Sequence, residues 1–216
     1  AAFNLIFIFI LIFMSVSLTT RCFSAQERAH SLLPVPKEVS FGQGKMVIDS
    51  NFRVSLSGYK EPRLYRASQR MLMRLSTKTG IPMPLEIEND ESKANLVINC
   101  QGPGEKIQSL REDESYTLEV TSSRADLKSR TPVGVLRGME TFLQLVELDS
   151  DGFFVPEVQI QDKPRFAWRG LLIDSCRHWM PAEVIKRNLD GMAAVKLNVL
   201  HWHLSEDQGF RIECIA

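Results

Sequence analysis

The pattern of apolar and polar positions divides this chain into two stretches with different periods. Residues 115–121 alternate strictly, with Tyr116, Leu118 and Val120 on one side, and this predicts a half-buried antiparallel strand. Residues 62–78 change period: Leu64, Ala67, Met71, Leu72 and Leu75 recur at steps of three and four, which predicts an amphipathic helix. Gly80 ends that helix and Pro82 prevents its return. A second helix is predicted from Thr131-Pro132, a capping threonine before a first-turn proline, and it runs through Leu136, Met139, Leu143 and Val146 to about Leu148. Short strands are predicted at 45–48, 52–56, 95–99 and 153–160, with a turn at 149–152. Residues 32–39 read as an extended leading segment, because each proline pushes its predecessor out of the α region. Gly42 and Gly44 read as a turn, since the pair is too short for a phosphate loop. Strands interrupted by two amphipathic helices imply an α+β domain, an antiparallel or mixed sheet with helices on one face.

The pattern changes again after residue 162, where Lys163-Pro-Arg165 opens a new unit. Residues 170–173 and 197–200 are apolar runs that suit parallel strands buried on both faces. Between them Pro181 starts a helix whose buried side is Val184, Ile185, Leu189, Met192 and Val195. Strand, crossover helix and strand make a right-handed βαβ unit. Both strands end in clusters of charged, imidazole and indole side chains: Asp174, Arg177, His178 and Trp179 after the first, His201, Trp202, His203, Glu206 and Asp207 at the second. Polar groups at the carboxyl ends of parallel strands are how an active site is built on a β/α barrel.

Composition narrows the function classes. The chain of 216 residues has a formal net charge of zero and no Lys/Arg block, which gives no support to nucleic-acid or acidic-membrane binding through a basic run. Residues 3–18 are almost wholly apolar, short of the ~20 that a spanning helix needs. Polar Thr19-Thr20-Arg21 and the small pair Ser24-Ala25 follow, so residues 1–25 read as a secretory signal peptide and the protein as exported, with an uncleaved anchor as the alternative. Cys22, Cys100, Cys176 and Cys214 match no zinc or redox spacing, and no disulfide framework is expected.

The stretches RGLLIDSCRHWMP at 169–181 and KLNVLHWHLSEDQGFRIE at 196–213 resemble the opening of the catalytic domain of glycoside hydrolase family 20, the β-N-acetylhexosaminidases. Residues 113–120 and 138–146 resemble, more weakly, the non-catalytic α+β domain of that family. Together these stretches carry the resemblance over roughly residues 32–213; after the signal peptide read at 1–25, it implies an accessory α+β domain at 26–162 and the first βαβ of a (β/α)8 barrel, incomplete, at 163–216. It implies removal of terminal β-linked N-acetylglucosamine or N-acetylgalactosamine by retaining, substrate-assisted catalysis, in which the substrate's acetamide oxygen attacks the anomeric carbon. The partner implied is an amino-sugar glycan, with no cofactor and no metal. By the same resemblance Arg177 binds sugar hydroxyls, where a planar guanidinium offers paired donors, although an ordinary ion pair with Asp174 also accounts for it. Asp174 orients Arg177 or caps a loop. Glu206 stands where the family has an Asp that supports an imidazole further along, one methylene longer here, and Asp207 is structural.

The family's acid and acetamide-orienting pair, a Glu and an Asp, lies on the fourth barrel strand, and no residue of this chain inherits either role. The 216-residue polypeptide alone is therefore expected to be inactive, with residues 166–216 poorly stable by themselves and 32–162 able to fold. A non-catalytic carbohydrate-binding module is one competing reading. A metal-dependent barrel hydrolase is the other, because His201 and His203, two apart, face the same way on a strand. Trp168, Trp179 and Trp202 read as barrel packing.

Overall fold

A computed structural model describes residues 29–214. The leader expected at residues 1–25 lies outside the described residues, and among those described no helix is long and apolar enough to cross a membrane.

The larger unit is a seven-stranded mixed sheet. Strands β1 (Glu38–Val47), β2 (Val54–Gly58), β3 (Leu96–Cys100), β4 (Tyr116–Val120), β5 (Ala125–Ser129), β6 (Glu147–Asp149) and β7 (Gly152–Asp162) contribute to it. Their spatial order is β1-β7-β4-β5-β3-β2, with β6 paired to β7. Strands β2, β3 and β5 run parallel to one another, and the remaining pairings are antiparallel. In β4 the alternation is realised as expected: Tyr116, Leu118 and Val120 are buried, while Thr117 and Glu119 face solvent.

Helices α1 (Pro62–Thr79) and α2 (Pro132–Gln144) pack on the apolar face. The predicted stripe of α1 is buried, and its end is set by Gly80 at φ 71°, a left-handed cap closed by the Gly80 N–H donating to the Ser76 carbonyl. Thr131 caps α2 by accepting from Gly134 N–H at 3.1 Å. Gly138 lets α2 settle onto the sheet, since a Cβ there would come within 2.2 Å of Leu127 Cδ1. Phe52 and Phe142 stack at 5.8 Å between sheet and helix.

Four expectations change here. Gly42 and Gly44 form no turn: β1 continues through them with a register shift between Phe41 and Lys45, and Gly44 N–H donates to Glu157 Oε2 at 3.0 Å. Strand β5 went unread because Asp126 and Lys128 make a two-residue alternation look like a solvated loop. Helix α2 stops at Gln144, four residues early, because β6 is drawn into a hairpin with β7. The fourth concerns the second unit.

That unit comprises β8 (Gly170–Asp174), α3 (Ala182–Ala194) and β9 (Val199–His203), with β8 and β9 parallel and in register from Gly170↔Val199 to Asp174↔His203. The expected βαβ is present, but its strands are not buried on both faces. Leu172 is 57% exposed, and on α3 only Ile185 and Met192 are buried while Leu189 is exposed. Nothing among the described residues covers those faces. The contiguous apolar core lies wholly between Leu32 and Ile160.

Charged and polar groups join the two units. Glu114, just before β4, is 8% exposed, and its Oε2 accepts from Arg137 Nε of α2 and from Arg169 Nη2 before β8, both at 2.6 Å. Asn198 donates to Glu114 Oε1 at 3.3 Å and to Ala167 O at 2.8 Å. A second cluster lies beside it. Lys196, in left-handed backbone at φ 60°, donates from Nζ to Tyr116 Oη at 2.8 Å and Asp162 Oδ2 at 3.0 Å. Burial pushes the Lys196 ammonium below its ordinary range, against the pull of Asp162. Gln144 completes the seam by donating to Ala194 O at 2.8 Å.

Replacing Glu114 by Ala leaves two guanidinium groups buried without their shared acceptor, which is expected to cost roughly 3–5 kcal/mol. Urea denaturation of Glu114→Ala against the parent measures it. A loss below about 1 kcal/mol would mean that the seam is solvated, as for a surface pair.

Candidate functional site at the carboxyl ends of the parallel strands

The register of the parallel pair sets Asp174 level with His203 at the strand ends. Beyond β8 the chain turns on the Asp174 carboxylate, whose Oδ1 accepts from the backbone N–H groups of Cys176 and Arg177, both at 3.0 Å. The turn throws Arg177 back over the strand ends, where Nη1 reaches Asp174 Oδ2 at 2.9 Å. Nη2 of the same guanidinium pairs with Glu206 Oε2.

Glu206 is placed by a short hairpin, β10 (Ser205–Glu206) with β11 (Gly209–Phe210). That hairpin is stitched to the loop after β8. Cys176 Sγ donates to Gly209 O at 2.7 Å, Arg211 Nη2 to Cys176 O at 2.9 Å, and Trp202 Nε1 to Ser175 Oγ at 2.9 Å. The two expected carboxylates therefore hold one cation from two sides, and Asp174 both shapes the loop and orients the arginine.

Arg177 keeps 53% of its side chain exposed. Burial opposes its charge, but Glu206 and Asp174 outweigh it and raise its pKa. The Arg177 backbone N–H, and after it the guanidinium, hold the Asp174 carboxyl below the ordinary carboxylate range. Glu206 Oε1 is buried without a hydrogen-bond partner among the described residues, an acceptor left open.

Other expected residues separate. Asp207 is exposed at the hairpin turn, outside the ion-pair cluster. His201 is exposed opposite Leu172, and among the described residues no three His, Cys, Asp or Glu side chains are arranged to hold a metal ion. His203 does join the cluster, and the sequence reading missed this. Its Nδ1 lies 3.7 Å from Asp174 Oδ1 and its Nε2 lies 3.6 Å from Glu206 Oε2. The signal was its place as the last residue of its strand, opposite Asp174. Trp168, Trp179 and Trp202 are not packed away: all three are exposed, with Trp179 facing the Arg211 guanidinium at 5.9 Å.

Comparison with known proteins identifies the family. Residues 166–216 match the profile described as glycosyl hydrolase family 20, catalytic domain, and residues 32–145 match the profile described as beta-acetyl hexosaminidase like. The chain belongs to glycoside hydrolase family 20, among the β-hexosaminidases. Beta-hexosaminidase 1 of Arabidopsis thaliana is 35% identical over 97% of this chain and 42% of its own length. Beta-hexosaminidase subunit beta of Homo sapiens is 42% identical over 62% of this chain and 24% of its own. The crystal structure of Flavobacterium johnsoniae chitobiase superposes with a TM-score of 0.78 at 43% identity, covering 85% of this chain and 28% of that one. Streptomyces plicatus N-acetyl-beta-hexosaminidase gives 0.70 at 26% identity, with coverage of 86% and 37%. This chain thus spans less than half the length of these relatives.

The Asp174 carboxyl is expected to titrate below its ordinary value of 3.8. Because the folded value is depressed, its contribution to holding the loop is present above about pH 4 and is lost as pH falls through the lower midpoint. Carboxyl chemical shifts followed by NMR against pH test this. A midpoint at or above 3.8 would show that Arg177 does not hold Asp174 in solution.

Proposed function

We propose that this chain forms part of an exported β-N-acetylhexosaminidase that releases terminal β-linked N-acetylglucosamine or N-acetylgalactosamine. On this reading, residues 26–162 are the accessory α+β domain and residues 163–216 begin a (β/α)8 barrel. One observation carries it: a half-exposed guanidinium at the carboxyl ends of two parallel strands, held from both sides by Asp174 and Glu206.

That arrangement suits a sugar. With its ion pairs fixing the plane, Arg177 presents its remaining N–H donors to neighbouring hydroxyls in one orientation. A pre-set donor orders the non-reducing end without first losing rotamer freedom. In the bond-breaking step the acetamide oxygen attacks the anomeric carbon, the bond to the leaving oxygen breaks, and an acid delivers the proton to that oxygen. Arg177, Asp174, His203 and Glu206 hold the sugar and one another in place; none of them supplies that proton. Glu206 Oε1, buried and open, is the acceptor available to an imidazole of the remaining barrel.

The test is the complete gene product assayed with a chromogenic β-N-acetylglucosaminide. Release is expected, and Arg177→Ala should lower kcat/KM by roughly 10- to 100-fold, the value of charge-assisted hydrogen bonds of about 1.5–3 kcal/mol. A folded, complete protein that releases nothing would overturn the assignment, and an unchanged kcat/KM in the variant would remove Arg177 from the site.

A further inference from the structure

A second concave site lies at the other end of the parallel strands. Two adjoining cavities, of about 400 Å³ and 370 Å³, share Lys37, Tyr116, Asp162 and Lys163 and so form one cleft. It runs from the open face of the sheet to the seam between the two units. Its rim carries Lys37, Lys128, Arg130, Lys163 and Arg165, and its floor Arg137, Arg169 and Lys196. Chain connectivity brings together only Lys128 with Arg130 and Lys163 with Arg165. They converge from the leading segment, the end of β5 and the link into β8.

The carboxylates that line the cleft do not neutralise that rim. Glu114 is committed to Arg137 and Arg169, and Asp162 to Lys196 and Tyr116. Just outside the lining, Glu38 pairs with Lys37 at 2.9 Å and Asp113 lies 3.9 Å from Arg130. Asp113 also acts on Lys163, and Glu140 on Lys196; counting all of these, eight cations still face five carboxylates, in a chain whose formal net charge is zero. The side chains of Lys128 and Arg165 make no ion pair or hydrogen bond among the described residues. The rest of the lining is neutral and polar on one side (Gln101, Ser115, Thr117, Gln161) and apolar on the other, where Val35, Pro164 and an exposed Phe166 form a wall.

We propose that this cleft binds a sugar carrying an oxyanion ester, a sulfate or a phosphate, bridging the sheet unit and the start of the parallel pair. Unpaired Lys and Arg side chains from separate segments suit an oxyanion's several acceptors. The amides and hydroxyls suit sugar hydroxyls, and the apolar wall suits a pyranose C–H face. The volume exceeds what a bare ion fills. Nucleic acid fits less well, because Phe166 is the one exposed aromatic of the lining, Tyr116 being buried, and the cations ring a cleft instead of lining a track. The site is separate from the Arg177 cluster: Arg169 and Lys196 precede β8 and β9, whereas Arg177 follows β8, roughly 15 Å along a five-residue strand. It therefore stands whether or not the glycosidase reading does.

The experiment is calorimetric titration of the complete protein, at constant ionic strength, with glucose 6-sulfate, glucose 6-phosphate, glucose, inorganic sulfate and phosphate, and a mixed single-stranded oligonucleotide. Glucose lacks the acetamido group, so binding is kept apart from the hexosaminidase site. Either ester is expected to bind, free glucose not, and the inorganic ions at least about tenfold more weakly than the matching ester, the share of one further good hydrogen bond. The exposed pair Lys163→Ser with Arg165→Ser should weaken the ester at least about tenfold, as should Lys128→Ser with Arg130→Ser, while Arg177→Ala leaves it unchanged. Whichever ester binds more tightly identifies the oxyanion. No ester binding, equal binding by the bare ion, equal binding by both paired variants, or tighter binding of the oligonucleotide would each overturn the proposal.

Discussion

A single carboxylate, Glu114, ties the two units of this structure together. One of its oxygens accepts from Arg137 of the sheet unit and Arg169 of the parallel pair, while the other accepts from Asn198. All of these groups are largely out of water, so their hydration is lost and their mutual pairing must replace it. An arrangement that misplaces one partner strands the others, and that penalty is far larger than the net value of the pairs. The cluster thereby selects one orientation of the parallel strands against the sheet. The neighbouring Lys196–Asp162–Tyr116 group does the same for the start of β9.

This division of labour explains how so modest a second unit can present an ordered site. The sheet unit keeps a contiguous apolar core, while the parallel pair buries little beyond Ile173, Cys176, Ile185 and Met192. The amino ends of its strands are held by charge. Its carboxyl ends are held by hydrogen bonds among the Asp174 turn, the β10–β11 hairpin and Arg177. Residues in between need only run as parallel strands, and their register alone then brings Asp174 beside His203.

Much of this was legible in the chain, and what was not has a common cause. The α1 stripe, the Thr131 cap and the alternation of β4 are local, and each survived into the structure because packing agrees with period. Arg177, Asp174 and Glu206 were also legible, since strand ends and motif spacing bring them to one place. Strand β5 was lost because its charged outward residues match a loop, and the Gly42–Gly44 bulge because the partner that fixes it, Glu157, lies far along the chain. His203 was seen as half of a histidine pair, whereas its neighbours across the strands are carboxylates. The cationic rim was invisible, because a composition without basic runs conceals cations that only folding gathers.

The sequence by itself determined most of the elements, the family and the strand-end residues, because these rest on interactions within a few positions along the chain. The tertiary structure alone decided which charges meet. Ion pairs such as Glu114 with Arg169 join residues 55 positions apart, and no local period encodes them. It also decided what stays open: a half-exposed guanidinium at one end of the parallel pair and a cationic cleft at the other. Both depend on where water is excluded, which is a property of the packed molecule.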